Sequence, residues 1–226
     1  MPIHMMPIDS FFGPPRFGIE FAYTVIVVLL CFLVYYKTRN IYDLTQYKGI
    51  KFFRYAFLFF GLAYASRLFL HFLLVGNITF DLDLSRWIIM PFSSLIVAYF
   101  STMAIFYLVY STIWKRIKYS HFMAFSNIIA LSIALIAFIS RSPIMVSLIQ
   151  LILLVFAVVV SFEMHKKVKK ISHIRLLYLL ILVFWLLNLF VLGPSRFLPF
   201  EIKLFFQAIS IIVFILIYYR VSKWVK

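Results

Sequence analysis

The chain has 226 residues, of which 65% are hydrophobic, 20% aromatic and 13% charged, and its formal net charge is +15. A soluble domain carries about 45–50% apolar and about 25% charged residues, and a soluble domain of this size lacks the interior volume to hide so many Phe, Leu and Ile side chains. These figures exclude a soluble globular domain, a disordered chain and, as a first reading of the positive charge, a nucleic-acid-binding domain. The single cysteine, Cys31, excludes a disulfide framework and a cysteine-based metal site.

A membrane-spanning helix needs about 20 mostly apolar residues. Seven stretches qualify: 17–36, 52–75, 87–110, 121–140, 143–162, 174–192 and 201–219. The apolar runs are too long for barrel strands and lack sustained alternation, so helices are expected. A segment of residues 1–16, with Pro2, Pro7, Pro14 and Pro15, precedes the first stretch. That stretch lacks the basic leader and small-residue cleavage site of a signal peptide, and is expected to remain in the protein. Near its start it carries Glu20 and Thr24 on one face.

The second stretch follows a connection over residues 37–51 and contains the outstanding polar residue of the chain. Arg67 lies about 12 Å from the end of that helix, counting 1.5 Å per residue. Tyr64 and His71, three residues before and four after, extend the same face. A charge in hydrocarbon is costly alone, so a pair between Arg67 and Glu20 is expected. The alternative is that Arg67 snorkels to head groups while Glu20 is simply interfacial.

Residues 76–86 connect to the third stretch, where Pro91 is followed by Ser93 and Ser94. Asn77-Ile78-Thr79 in that connection fits a glycosylation sequon but lies close to the membrane. The fourth stretch carries Ser126, Ala130 and Ala134 at four-residue spacing, the pattern of close backbone packing inside a bundle. Arg141, Ser142 and Pro143 divide the fourth stretch from the fifth, because an Arg followed shortly by Pro suits a tight surface turn. Gln150 lies in the fifth stretch, Asn188 in the sixth and Gln207 in the seventh, all at similar depth. Toward the other end Asn127 is the main polar exception.

Charge sets the expected orientation. Sixteen basic residues fall on one side, against five on the other, and the bias alternates correctly through seven spans. The N-terminus is therefore expected outside and the C-terminus in the cytoplasm, with residues 17–220 forming one transmembrane domain and 221–226 a basic tail. Tyr35, Tyr36, Tyr110, Trp114, Tyr119, Tyr218, Tyr219 and Trp224 lie near the inner edge and Trp87 near the outer, as amphipathic rings do at interfaces. The run Lys166, Lys167, Lys169 and Lys170 reads as a contact with anionic lipid head groups, as topogenic charge alone, or as a surface for an acidic cytoplasmic protein.

The expected fold is thus an all-α integral membrane protein, a bundle of seven transmembrane helices. Glu20, Tyr64, Arg67, His71, Ser94, Gln150, Asn188 and Gln207 are the expected ligand-binding residues of a pocket opening outward; the bland alternative is interhelical hydrogen bonding that binds nothing. A guanidinium at such a site favours a small anionic or carboxylate-bearing ligand, and His71 would make its binding pH-sensitive. No HExxH motif, intramembrane aspartyl dyad, nucleophile elbow or phosphate-binding glycine loop occurs, so neither enzyme activity nor a metal or cofactor is expected. The leading reading is a receptor-like or sensor-like module in the plasma membrane. The second is a small-solute transporter of three-plus-one-plus-three helices, since Arg54 to Arg67 and Arg175 to Asn188 share one spacing. The third is a non-catalytic scaffold with a protein partner.

Overall fold

Apolar sequence in hydrocarbon must satisfy its own backbone hydrogen bonds, and a helix does so within one segment. The computed structural model describes residues 14–79, 86–140, 143–164, 172–192 and 199–223. Every element there is helical: α1 (Pro14–Thr45), α2 (Lys48–Thr79), α3 (Arg86–Ile113), α4 (Tyr119–Ser140), α5 (Pro143–Met164), α6 (Ser172–Leu192) and α7 (Phe200–Ser222). Six of them, all but α6, are long and apolar enough to cross a membrane; the described apolar part of α6 is Leu176–Asn188. The fourth and fifth expected stretches are separate helices, divided at the position the sequence marks. The chain is a multi-pass helical membrane protein.

The expected connection over residues 37–51 is mostly helix, which corrects the sequence-based reading. α1 runs on to Thr45, and the turn to α2 is Gln46 and Tyr47, with Gln46 at a φ of 51°. Local interactions extend the helix beyond the apolar run. Arg39 and Asp43 pair across one turn at 3.9 Å. Thr38 and Thr45 donate their hydroxyl protons to the carbonyls of Val34 and Ile41, at 2.7 Å each.

Helix contacts define a ring. α1 packs on α2, α2 on α3, α3 on α5, α5 on α6, α6 on α7, and α7 closes on α1. α4 lies outside the ring, against α3 and α5. Its stripe of Ser126, Ala130, Ile133, Ala134 and Ala137 is buried, and Ala98 and Val146 meet that stripe from α3 and α5. The small-residue pattern is therefore used within the chain. α1 and α2 cross closely at Gly61, where a methyl group would stand 3.1 Å from Cys31 Cβ.

The outer faces are apolar. Leu29, Ile139, Ile152 and Phe205 are each more than half exposed. In water so continuous an apolar surface would aggregate; in a bilayer it is solvated by acyl chains. Inside the ring, Phe57, Phe60, Phe184 and Phe214 form a contiguous aromatic cluster. Phe184 and Phe214 meet edge to face at 4.9 Å between centroids, and Phe57 meets Phe214 likewise at 6.0 Å.

Candidate functional site

The end of the bundle where α1 begins and α2 finishes is not filled by side chains. A cavity of about 430 Å³ lies between α2, α3, α5 and α6, with Ala137 contributed by α4. That volume falls in the range of small-molecule sites, roughly 300–1,000 Å³. Tyr64, Arg67, Ser94, Gln150 and Asn188 line it, so five of the eight expected residues converge. Apolar wall is supplied by Phe60, Leu70, Met90, Val97, Val146 and Trp185.

Pro91 shapes one wall. It stands inside α3 and has no N–H to donate. Ser94 donates its hydroxyl proton to the Pro91 carbonyl at 2.8 Å, and both line the cavity.

Among the described residues Arg67 is the one charged residue of the lining. Its guanidinium carbon lies 5.7 Å from the centre of the Tyr64 ring, a cation–π contact. The expected pair with Glu20 is absent: among the described residues the one ion pair is that of Arg39 with Asp43. Glu20 is exposed, one turn beyond the buried layer of Tyr23 and Thr24, so its carboxylate reaches the medium instead of the ring interior. Glu20 therefore lies outside the cavity lining, and so do two other expected residues. Nδ1 of His71 turns back to the Arg67 carbonyl at 2.8 Å. Gln207 is buried on α7, across the ring from the cavity's α3 and α5 walls. Lys166, Lys167, Lys169 and Lys170 lie outside the described residues.

Two polar networks hold the cavity walls. Asn188 joins four helices: the Tyr23 and Tyr64 hydroxyls both donate to its Oδ1, the former at 2.8 Å. Its Nδ2 donates to the Phe184 carbonyl at 2.8 Å and to Ser210 Oγ at 3.4 Å, while Ser210 and Tyr23 share a contact of 2.9 Å. With the Tyr23 proton given to Asn188, Ser210 donates to Tyr23 and the ring of bonds closes. Gln150 spans α5 to α3 in the same way. Its Nε2 donates to Ser101 Oγ at 2.6 Å and to Thr102 Oγ1 at 3.2 Å. Tyr23, Ser101, Thr102 and Ser210 were not among the expected residues. Hydroxyls in apolar helices at the depth of Asn188 and Gln150 are the signal that points to them.

The cavity has a floor. Phe60 and Trp185, with ring centres 5.4 Å apart, line it and also line a second void of about 30 Å³ beneath. The described residues that line that void have apolar side chains, including Phe57, Leu154 and Phe214. Asn127, the polar exception toward this end, is exposed on the peripheral α4, where it accepts from Tyr99 at 2.6 Å. It offers no polar step along the bundle axis. Among the described residues no group of three or more His, Cys, Asp or Glu side chains could hold a metal ion.

Comparison with known proteins finds a relative along most of the chain. The chain is 36% identical to an uncharacterized protein of Archaeoglobus fulgidus over 210 residues, which cover 90% of this chain and 91% of the relative. It belongs to the same family as that archaeal protein. No family model and no solved structure matches it.

Proposed function

We propose that the chain is a seven-span membrane module that binds a small amphipathic anion in a cavity open to the outside, and that it acts as a sensor. Supporting the span count, α6 is 21 residues long, about 30 Å at 1.5 Å per residue, which matches the hydrocarbon core. The charge bias supports an outside N-terminus and a cytoplasmic C-terminus, and the module is placed in the plasma membrane as part of this proposal. Residues 17–220 then form one membrane domain, with 221–226 as a basic tail.

The observation that carries the ligand assignment is Arg67. Among the described residues it is the one charge lining a cavity of about 430 Å³, with no carboxylate within 4 Å. A guanidinium so placed offers paired donors to a carboxylate, while Phe60, Met90 and Trp185 accommodate an apolar body. Gln150 and Asn188, held by their networks, present fixed polar edges. Such a module needs no catalytic residues or cofactor. It transmits occupancy to a separate cytoplasmic protein, with Lys166, Lys167, Lys169 and Lys170 meeting lipid head groups or that partner.

The test is thermal unfolding of the purified protein against a series of small carboxylates of increasing chain length. A ligand at 100 times its dissociation constant stabilises by about 2.7 kcal/mol. Stabilisation that is lost in Arg67→Ala and partly kept in Arg67→Lys supports the assignment. Equal response of the wild type and Arg67→Ala overturns it.

One observation favours transport as a second reading. In the six-helix ring, α1–α3 and α5–α7 occupy corresponding positions, and the contacts that close it, α3 with α5 and α7 with α1, exchange under a two-fold operation. α4 lies outside, as a linker between parallel repeats would. Arg67 and Asn188, at corresponding positions of α2 and α6, both line the cavity. Uptake of the stabilising ligand into proteoliposomes would select transport; binding without uptake would select sensing. A stoichiometric protein partner with no ligand response would leave the scaffold reading.

A further inference from the structure

At the opposite end of the bundle a second cleft, of about 730 Å³, is built from the α1–α2 turn and the α3–α4 turn. Lys48, Lys51, Lys115, Arg116 and Lys118 line it, and among the described residues no acidic residue does. We propose that this cleft binds the phosphate headgroup of an anionic membrane lipid. The proposal is independent of the ligand assigned to the cavity; it shares only the reading that the bundle spans a membrane.

The cleft is held in shape rather than formed by loose side chains. At Gly49 the start of α2 approaches α3 so closely that a methyl group would stand 2.9 Å from the Ser111 carbonyl and 3.2 Å from Trp114 Nε1. The Tyr110 hydroxyl donates to the Ile117 carbonyl at 3.0 Å, pinning the α3–α4 turn. Phe52 meets Tyr110 edge to face and stacks on Tyr119, with centroids 4.5 and 5.4 Å away, which joins α2 to the start of α4. Two separate basic turns are thereby fixed on one cleft.

Among the described residues no carboxylate pairs with these charges. Asp43, the acid of the adjoining α1 turn, pairs with Arg39. Lys115 Nζ rests over the Trp114 ring at 5.4 Å, which orients the ammonium without cancelling its charge. Beside the cleft, Arg54 adds a sixth cation. Its guanidinium is faced by Tyr35, Tyr42 and Tyr55 at 5.2–5.6 Å, and its Nε is buried with no hydrogen-bond partner. Two of those rings, Tyr42 and Tyr55, also line the cleft. Five cations on one concave surface favour an anionic phosphate ester.

Position selects a lipid over a soluble anion. The cleft lies where four helices end, at the level of Trp114 and Tyr119, the side chains that mark a membrane interface. Exposed Ile117 and Tyr119 line it and offer apolar surface to the glycerol and upper acyl region. Basic pockets between spanning helices at this depth suit phospholipid head groups.

The test is native mass spectrometry of the full chain with added phosphatidylglycerol or phosphatidylcholine, comparing wild type with a variant carrying Lys48→Gln, Lys51→Gln, Lys115→Gln and Lys118→Gln. All four lysines are solvent-facing or half-buried, and a melting curve checks that the variant folds. A basic residue near an anionic surface contributes about 1 kcal/mol, roughly fivefold in affinity. The wild type should retain phosphatidylglycerol at least about tenfold better than phosphatidylcholine, and the folded variant should lose that preference. Equal retention of the two lipids, or an unchanged preference in the variant, overturns the proposal. Binding of soluble glycerol phosphate as tightly as the lipid also overturns it, and makes the occupant a free phosphate ester.

Discussion

The two halves of the bundle axis share the walls of α2, α3, α5 and α6 and behave in opposite ways. In one half, α2, α3, α5 and α6 stand around about 430 Å³ lined by Arg67, Ser94, Gln150 and Asn188. In the other α7 joins them, and Phe57, Leu154, Phe184 and Phe214 close the space to about 30 Å³. The difference is not one of hydrophobicity, since both halves are built largely of Phe, Leu, Ile and Ala. It comes from who spans the gap. Short polar side chains in the first half satisfy one another across the walls and leave the centre open. The rings of Phe57, Phe184 and Phe214 in the second half meet near the axis and fill it. Phe60 and Trp185 stand at the boundary and belong to both.

That contrast assigns binding to one half and rigidity to the other, and substitutions should separate the two. The largest effect is expected at Arg67→Ala. Loss of a charge-assisted hydrogen bond costs about 1.5–3 kcal/mol, so affinity for a carboxylate ligand should fall roughly 10- to 100-fold in isothermal titration, with the melting temperature of the empty protein little changed. Phe214→Ala should do the reverse. The acyl chains around a membrane protein are as apolar as its core, so only the cavity term counts. Removing roughly 100 Å³ at about 24 cal/mol per Å³ gives about 2 kcal/mol of lost stability, read by equilibrium unfolding in mixed micelles, with ligand affinity retained.

Asn188→Ala tests whether the network serves the wall or the ligand. Interhelical hydrogen bonds in membranes average about 0.6 kcal/mol, up to about 1.7 kcal/mol. Because four helices meet at this amide, a stability loss near the upper value is expected. A larger loss of affinity than of stability would mean that Asn188 touches the ligand directly. Ser94→Ala should have the smallest effect, within about 0.5 kcal/mol in either measurement, since its hydroxyl is already bonded to Pro91 within its own helix.

The fold was legible wherever hydrophobicity runs along the chain. Apolar length alone locates the seven helices, and the Arg141–Pro143 break correctly divides α4 from α5. The helix ends were not legible, because α1 continues past its apolar run on local bonds of Thr38, Thr45 and Arg39, which hydropathy does not register. Depth was also legible, since it follows from counting residues; Arg67, Gln150 and Asn188 do share a level. Which face a residue presents was not. On helices that are apolar all round, the hydrophobic pattern has almost no direction. Gln150 and Gln207 therefore look alike in sequence, yet one lines the cavity and the other does not. Glu20 shows a second limit. Its helix is adjacent to that of Arg67 and the charges are opposite, but one turn of extra height puts the carboxylate outside the ring.

The assignment of the cavity to a small anion is tested most directly by native mass spectrometry of the protein extracted with its own lipids, comparing wild type with Arg67→Ala. The wild type should carry a small acidic molecule that the folded variant lacks. Wild-type and variant spectra that retain the same species, or wild-type protein that carries no small molecule and instead holds a stoichiometric protein partner, would contradict it and reduce Arg67, Gln150 and Asn188 to packing.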